Sequence, residues 1–186
     1  MERRIPVVVI GDVKETDKIC RALKASGINT AEITFRTPCA ADAIRYAVSV
    51  FPEMEIGAGT VINAEQCERA IASGARFVVS PGFSSGVADV CRAAGVPYYP
   101  GCATPTEIMA AVSAGFDVVK FFPADLYGGI KALKAFSSVF PHVSFIPTGG
   151  VSAENEAEFL SQKNVAAVGG TYLVKDALER FGGENE

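Results

Sequence analysis

Histidine is nearly absent from this chain, with His142 alone among 186 residues. A histidine-rich zinc centre or a Ser-His-Asp relay therefore lacks its raw material, and His142, beside Phe140-Pro141, reads as a surface loop residue. Cysteine offers no framework either. The five thiols, Cys20, Cys39, Cys67, Cys91 and Cys102, are odd in number and form no CxxC pair, which predicts reduced thiols and a cytoplasmic location. No apolar run approaches the roughly 20 residues of a membrane span. Arginines 3 and 4 precede only the short stretch Ile5–Ile10, which stops at Gly11-Asp12 and reads as a strand, not a secretion signal. Positive charge is not in excess. With Lys+Arg 17 against Asp+Glu 21, neither nucleic acid nor a membrane is expected as a partner. Linkers and low-complexity segments are missing too, so residues 1–186 are expected to form one domain.

What is present is a repeated junction. "KASGINTAEITF", "IASGARFVVSP", "RAAGVPYYPG" and "VSAGFDVVKFFP" each read as a helix end, a glycine suited to a left-handed cap, and a short apolar strand. The glycines are Gly27, Gly74, Gly95 and Gly115, and Phe51-Pro52, Phe140-Pro141 and Lys163-Asn164 mark further helix ends. Eight strands follow, at 5–10, 30–34, 55–58, 77–80, 97–101, 117–121, 144–147 and 165–169, with seven amphipathic helices between them, such as Ala40–Phe51 and Ala64–Ser73. No strand is followed by a hairpin signal. The pattern predicts an α/β chain folded as a (β/α)8 TIM barrel, with a short last helix over Lys175–Phe181.

A barrel of this kind collects its chemistry at the C-terminal ends of the strands. Those ends read "EITFRT", "GAGTV", "VVSPG", "YYPGCATP", "VVKFFPAD", "IPTGGV" and "GGTYLV". Lys120 is the lysine that lies within a strand, in the apolar run Val118–Phe122, and it shares strand parity with Val118. If that face is the interior, desolvation disfavours the ammonium, and the free amine is the nucleophile that forms an imine with a carbonyl. The plainer reading is a structural ion pair with Glu32, and the two readings are compatible.

Glu32, Thr34 and Arg36 share one parity on strand two. A carboxylate there suits proton shuttling, and an arginine one step higher suits bidentate capture of a substrate carboxylate. The plainer role for Arg36 is a rim charge paired with Glu32 or Asp42. Thr60 closes a glycine-rich strand end that lets a ligand approach the backbone, or forms a plain tight turn. The glycine pairs Gly149-Gly150 and Gly169-Gly170 fall where barrels bind phosphate through backbone N–H groups, although such pairs also make ordinary turns. Tyr98-Tyr99 and Phe121-Phe122 read as core and wall. Cys102 has no base beside it and is not expected to act as a nucleophile.

Taken together, the strand-end motifs from Pro6 to Val174 resemble those of the class I 2-keto-3-deoxy-6-phosphogluconate (KDPG) and 4-hydroxy-2-oxoglutarate (KHG) aldolase family. The resemblance implies Lys120 as the Schiff-base lysine and Glu32 as the general acid/base. It implies Arg36 and Thr60 as holders of the pyruvate carboxylate, and Gly149, Gly150, Gly170 and Thr171 as holders of the phosphate. Pro81 and Thr148 would line the site. No cofactor and no metal are implied, the ligands are a phosphorylated keto acid and pyruvate, and the expected assembly is a homotrimer. The chain departs from the family in lacking a helix before strand one, in its short last helix, in Thr171 for a commoner serine and in Asp125 for a commoner glutamate. The reaction implied is reversible cleavage of KDPG to pyruvate and glyceraldehyde 3-phosphate. The alternatives are a KHG or dual-specificity aldolase and, from another class, a non-catalytic phospho-ligand-binding or assembly barrel.

Overall fold

The computed structural model describes residues 2–182. Its strands are β1 (Arg4–Val8), β2 (Thr30–Thr34), β3 (Glu55–Gly59), β4 (Val78–Val79), β5 (Tyr98–Tyr99), β6 (Gly101–Cys102), β7 (Val118–Phe121), β8 (Ser144–Pro147) and β9 (Val168–Gly170). Helices α1 (Glu15–Ala25), α2 (Ala40–Val50), α3 (Ala64–Ala72), α4 (Ser85–Ala94), α5 (Pro105–Ser113), α6 (Gly129–Val139), α7 (Glu156–Leu160) and α8 (Tyr172–Phe181) alternate with them. Every pairing is parallel, in a six-stranded sheet ordered β5-β4-β3-β2-β1-β9 and a three-stranded sheet ordered β6-β7-β8. Single bridges Phe145↔Val165 and Thr148↔Gly169 join β8 to the β9 segment, so the sheet curls back towards its first strand.

The helix ends follow from local chemistry. Gly27, Gly74, Gly95 and Gly115 all take positive φ, between 67° and 95°, which turns each helix into the next strand. Helices α2 and α6 stop at a phenylalanine instead of a glycine. Phe51 and Phe140 share nearly the same backbone angles, φ −123° with ψ 64° and 66°, because the proline after each bars the helical conformation. At the other end, Asn63, Ser84 and Thr104 cap α3, α4 and α5 by accepting the N–H of Gln66, Val87 and Glu107. Each cap is worth about 1 kcal/mol, and each fixes the loop that leaves a strand end.

Differences from the sequence reading have physical causes. The expected strand 97–101 is broken into β5 and β6 because Pro100 has no N–H to give to a ladder, although its carbonyl still accepts the N–H of Lys120 at 2.9 Å. Strand one ends at Val8, not residue 10, and Val9 is 45% exposed. The last strand lies later, over Val168–Gly170, with Val165 held by a single bridge. Helix α8 begins at Tyr172, directly after β9, and its ten residues correct the short helix expected over Lys175–Phe181; the five-residue α7 is the short one. His142 is exposed in the turn before β8.

The core has an outer and an inner part. Two large clusters pack the helices against the sheet, and a small one gathers Ile5, Phe77, Val79, Ile146 and Ala167 with Tyr99 and Val118. The small cluster draws on β1, β4, β5, β7 and β8 at once, which only the concave face of the sheet can do. Gly57 makes room in it, because a Cβ there would stand 2.3 Å from the Phe77 ring. Phe77 and Tyr99 meet at 5.9 Å between centroids and fill the strand-start end. Val118 thus marks the inner face of β7, and Lys120, two residues on, stands above it.

Candidate active site

Lys120 is 5% exposed and Glu32 2% exposed, and the Lys120 Nζ donates to Glu32 Oε1 at 3.2 Å. The two residues lie 88 positions apart on β7 and β2, so only the curl of the sheet brings them together. Each is fixed by strand register: Glu32 between Val7 and Gly57, Lys120 between Gly101 and Ile146. The ammonium also stands 5.4 Å from the centroid of the Phe122 ring, within cation–π range.

Two glycines create the space for this pair. A Cβ on Gly59 would lie 2.1 Å from Glu32 Oε1, so the carboxylate occupies the volume a side chain would need. A Cβ on Gly101 would lie 2.1 Å from the Pro81 carbonyl oxygen. The loop after β4 therefore crosses directly over the register partner of Lys120. That loop is itself pinned, since Ser80 Oγ donates to the Val61 carbonyl at 2.5 Å and Tyr98 Oη accepts the Ser84 N–H at 3.3 Å and donates to the Gly82 carbonyl at 3.4 Å. Burial, outweighing hydrogen bonds that act in the opposite direction, pushes the Tyr98 hydroxyl up to about 12, so it stays a donor across the working pH range.

Arg36 lies just beyond β2, exposed, with its Nε donating to Thr60 Oγ1 at 3.2 Å. Neither anion proposed for a plain rim pair is available to it: Glu32 is taken by Lys120, and Asp42 by Arg45 at 2.5 Å. Thr34 turns its hydroxyl to the Val8 carbonyl at 3.0 Å and serves the sheet. Thr60 is the one non-glycine among the described residues with positive φ, at 56°. For a β-branched residue that conformation costs about 1–3 kcal/mol, and strain of this kind gathers at functional sites. Replacing Thr60 by glycine is expected to leave stability unchanged or raised by up to about 1 kcal/mol, since relief of strain outweighs the entropy of glycine. The same change removes the hydroxyl that accepts from Arg36 Nε, so if this pair holds an anionic ligand its KM should rise. Thermal melts and steady-state kinetics on one preparation test both, and a large loss of stability would assign Thr60 to the fold alone.

The ends of β8 and β9 meet through the Thr148↔Gly169 bridge. Thr148 is buried, and its Oγ1 rests where a Cβ of Gly169 would be, 2.4 Å away. Gly149 and Gly150 both take positive φ, 88° and 80°. Asn155 holds this turn by donating from Nδ2 to the Gly150 carbonyl at 2.9 Å while accepting the Ser152 N–H at 2.9 Å. Asp125 packs on Gly150, where a Cβ would lie 2.2 Å from its own, and its N–H donates to the Gly149 carbonyl at 3.1 Å. Thr171 is exposed at the N-terminus of α8 and makes no capping bond, leaving its hydroxyl free beside that end of the helix. Gly170 leaves room for the Tyr172 ring, 2.4 Å from a Cβ position.

Sequence reasoning missed Gly59 and Gly101 as space-makers and Tyr98 and Asn155 as loop clamps. Only Asn155, in the turn-like "SAEN", carried a local signal. Cys102 is buried, and burial, with Glu107 adding to it, pushes its thiol up to about 12, which is unsuited to a nucleophile. No group of three or more His, Cys, Asp or Glu side chains gathers among the described residues. Nor is any described helix long and apolar enough to cross a membrane.

A family model described as "KDPG and KHG aldolase" matches residues 1–182. The chain is 42% identical over 172 residues to a 2-dehydro-3-deoxy-phosphogluconate aldolase of Pseudoalteromonas atlantica, covering 92% of this chain and 80% of that one. It is 40% identical over 176 residues to a KHG/KDPG aldolase of Escherichia coli, covering 94% and 83%. Among solved structures, the KDPG aldolase of Legionella pneumophila with pyruvate captured as a covalent carbinolamine superimposes with a TM-score of 0.90 at 38% identity, over 96% of this chain and 93% of that one. The chain belongs to the KDPG and KHG aldolase family.

Proposed function

We propose that this chain is a class I aldolase that reversibly cleaves KDPG to pyruvate and glyceraldehyde 3-phosphate, in a single domain over residues 1–186 whose curled sheet forms a (β/α)8 barrel. The observation that carries the reading is the buried Lys120 amine, hydrogen-bonded to the buried Glu32 carboxylate at the strand-end face. Barrel closure is supported by β1 pairing with both β2 and β9, and by the bridges from β8 to the β9 segment.

In this reading the neutral Lys120 amine attacks the keto carbon of the substrate, and the carbinolamine loses water to leave an iminium. Glu32 is placed to take the amine proton and return it to the departing hydroxyl. The iminium then accepts the electron pair of the breaking C3–C4 bond as the C4 hydroxyl loses its proton. Glyceraldehyde 3-phosphate leaves, the enamine is protonated at C3, and hydrolysis frees pyruvate and the amine. In this reading Glu32 makes each of these transfers, directly or through one water.

Arg36 and Thr60 are assigned to the substrate carboxylate, supported by the free guanidinium edge and the strained Thr60 backbone. Gly149, Gly150, Gly170 and Thr171 are assigned to the phosphate. Support comes from the two left-handed glycines and from Thr171 at the start of a ten-residue helix, whose N-terminal N–H groups attract an anion. Pro81 and Thr148 line the walls. Neither a cofactor nor a metal enters this chemistry.

A KHG-cleaving or dual-specificity enzyme is the second reading, favoured by the 40% identity to an enzyme named for both substrates. Coupling pyruvate release to lactate dehydrogenase and comparing KDPG with KHG separates the two. KDPG is expected to give the larger kcat/KM, by about 10-fold or more if the phosphate makes two or three charge-assisted bonds. Equal or inverted values would overturn the substrate assignment. A cytoplasmic homotrimer completes the proposal. For the assembly alone, support comes from large apolar side chains exposed on one chain, Leu126 at 81%, Val139 at 66%, Met109 at 60% and Ile62 at 58%. Light scattering should return about three times 19.5 kDa, and a monomer mass would remove that part.

A further inference from the structure

Cys67 on α3 and Cys91 on α4 are buried, at 0% and 1% exposure, and their sulfurs touch at 3.4 Å. Two thiols in direct contact, on neighbouring helices 24 residues apart in the chain, are a geometry that packing alone does not require, since alanine or valine would fill the same layer. The aldolase chemistry uses neither of them. We propose that Cys67 and Cys91 form a reversible disulfide that a hydroperoxide closes, locking α3 to α4.

The geometry needs little movement. A disulfide has an S–S length of about 2.05 Å, so the sulfurs must approach by about 1.4 Å from their 3.4 Å contact. The partners are also unequal. The hydrogen bond from Cys91 holds the Cys67 thiol below its ordinary range despite burial, while that bond and then burial push Cys91 up. With Cys67 as the attacking sulfur, or with the two roles exchanged, the same disulfide results. The Cys67 sulfur attacks one oxygen of the peroxide, the O–O bond breaks, and water or an alcohol leaves, giving a sulfenic acid. The Cys91 sulfur then attacks the Cys67 sulfur, the S–O bond breaks, and the thiol proton leaves with hydroxide as water. Two thiols lose two electrons and the peroxide gains them. With the two residues at 0% and 1% exposure, a small hydroperoxide reaches the sulfurs only when the packing of α3 on α4 opens locally.

The location gives the link a consequence. Helix α3 starts at the Asn63 cap that closes the loop from Thr60, and α4 starts at the Ser84 cap that closes the loop from Pro81. A covalent tie between these helices constrains two adjacent loops of the strand-end face together.

The test treats the native protein with a few equivalents of hydrogen peroxide, quenches with an alkylating agent in denaturant, and maps peptides by mass. The expected product is one cross-linked peptide pair joining Cys67 to Cys91, about 2 Da lighter than the reduced pair and restored by dithiothreitol. It should be absent from Cys67→Ser and Cys91→Ser proteins, and the oxidised wild type should melt about 5–10 °C higher, as expected for a loop of this length. The proposal is overturned if both thiols still alkylate after peroxide. It is also overturned if Cys67 runs on to sulfinic acid without the link, or if the disulfide formed joins other cysteines such as Cys39. The wild-type peptide map decides the matter even if a serine variant fails to fold, and activity on KDPG is not needed as a readout.

Discussion

Replacing Lys120 by methionine is expected to lower kcat for aldol cleavage by at least about 10⁴-fold, to the level of the uncatalysed reaction, because no other amine can take its place at the buried end of β7. The side chain is nearly isosteric up to the charged end, so the strand and its inner-face neighbour Val118 should persist. Glu32, however, loses its cation while remaining 2% exposed in the parent structure. Breaking a buried pair by removing one partner costs about 3–5 kcal/mol. The single variant is therefore expected to be both inactive and less stable, and circular dichroism with denaturant titration must accompany the kinetics.

That double loss is also what a purely structural ion pair would show, so the second large effect separates the readings. Buried pairs of this kind seldom stabilise a fold relative to well-packed apolar residues. The double variant Lys120→Met with Glu32→Leu should recover most or all of the lost stability and stay inactive. Glu32→Gln alone should lower kcat by about 10²–10⁴-fold, the usual contribution of a positioned acid/base, while Lys120 still forms an adduct with pyruvate, more slowly. A glutamine that leaves kcat within a few-fold of the parent would assign Glu32 to holding Lys120 and remove it from the proton transfers. The distinction matters for the rival of another class, a binding or assembly barrel with inherited motifs. For that rival no adduct would form in the parent, while the double variant would recover stability just as in the aldolase reading.

Much of this was legible in the chain because it is written locally. A glycine that ends a helix, or a proline that follows phenylalanine, acts within a few residues, and the four αβ junctions at Gly27, Gly74, Gly95 and Gly115 fold as read. The parity of Val118 and Lys120 is likewise local and puts both on one face of the strand; that this face is the inner one depends on the curl of the whole sheet. What was not legible depends on contacts between distant strands. Nothing near Gly59 states that its missing side chain makes room for Glu32, and nothing near Gly101 states that the Pro81 carbonyl lies on it. The break at Pro100 was readable in principle, but the flanking tyrosines and glycine carry enough strand character to hide it. Tyr98 was read correctly as buried. Its second task, holding the loop after β4 by its hydroxyl, is a long-range hydrogen bond with no sequence signature.

The central claim is that one amine, that of Lys120, is the covalent attachment point for the keto acid. The direct measurement is to incubate the protein with pyruvate, reduce with sodium borohydride, digest, and locate the adduct by mass. A gain of about 72 Da is expected on the peptide containing Lys120 and on none of the other seven lysines. An adduct on a different lysine, or none on correctly folded protein, would contradict the account.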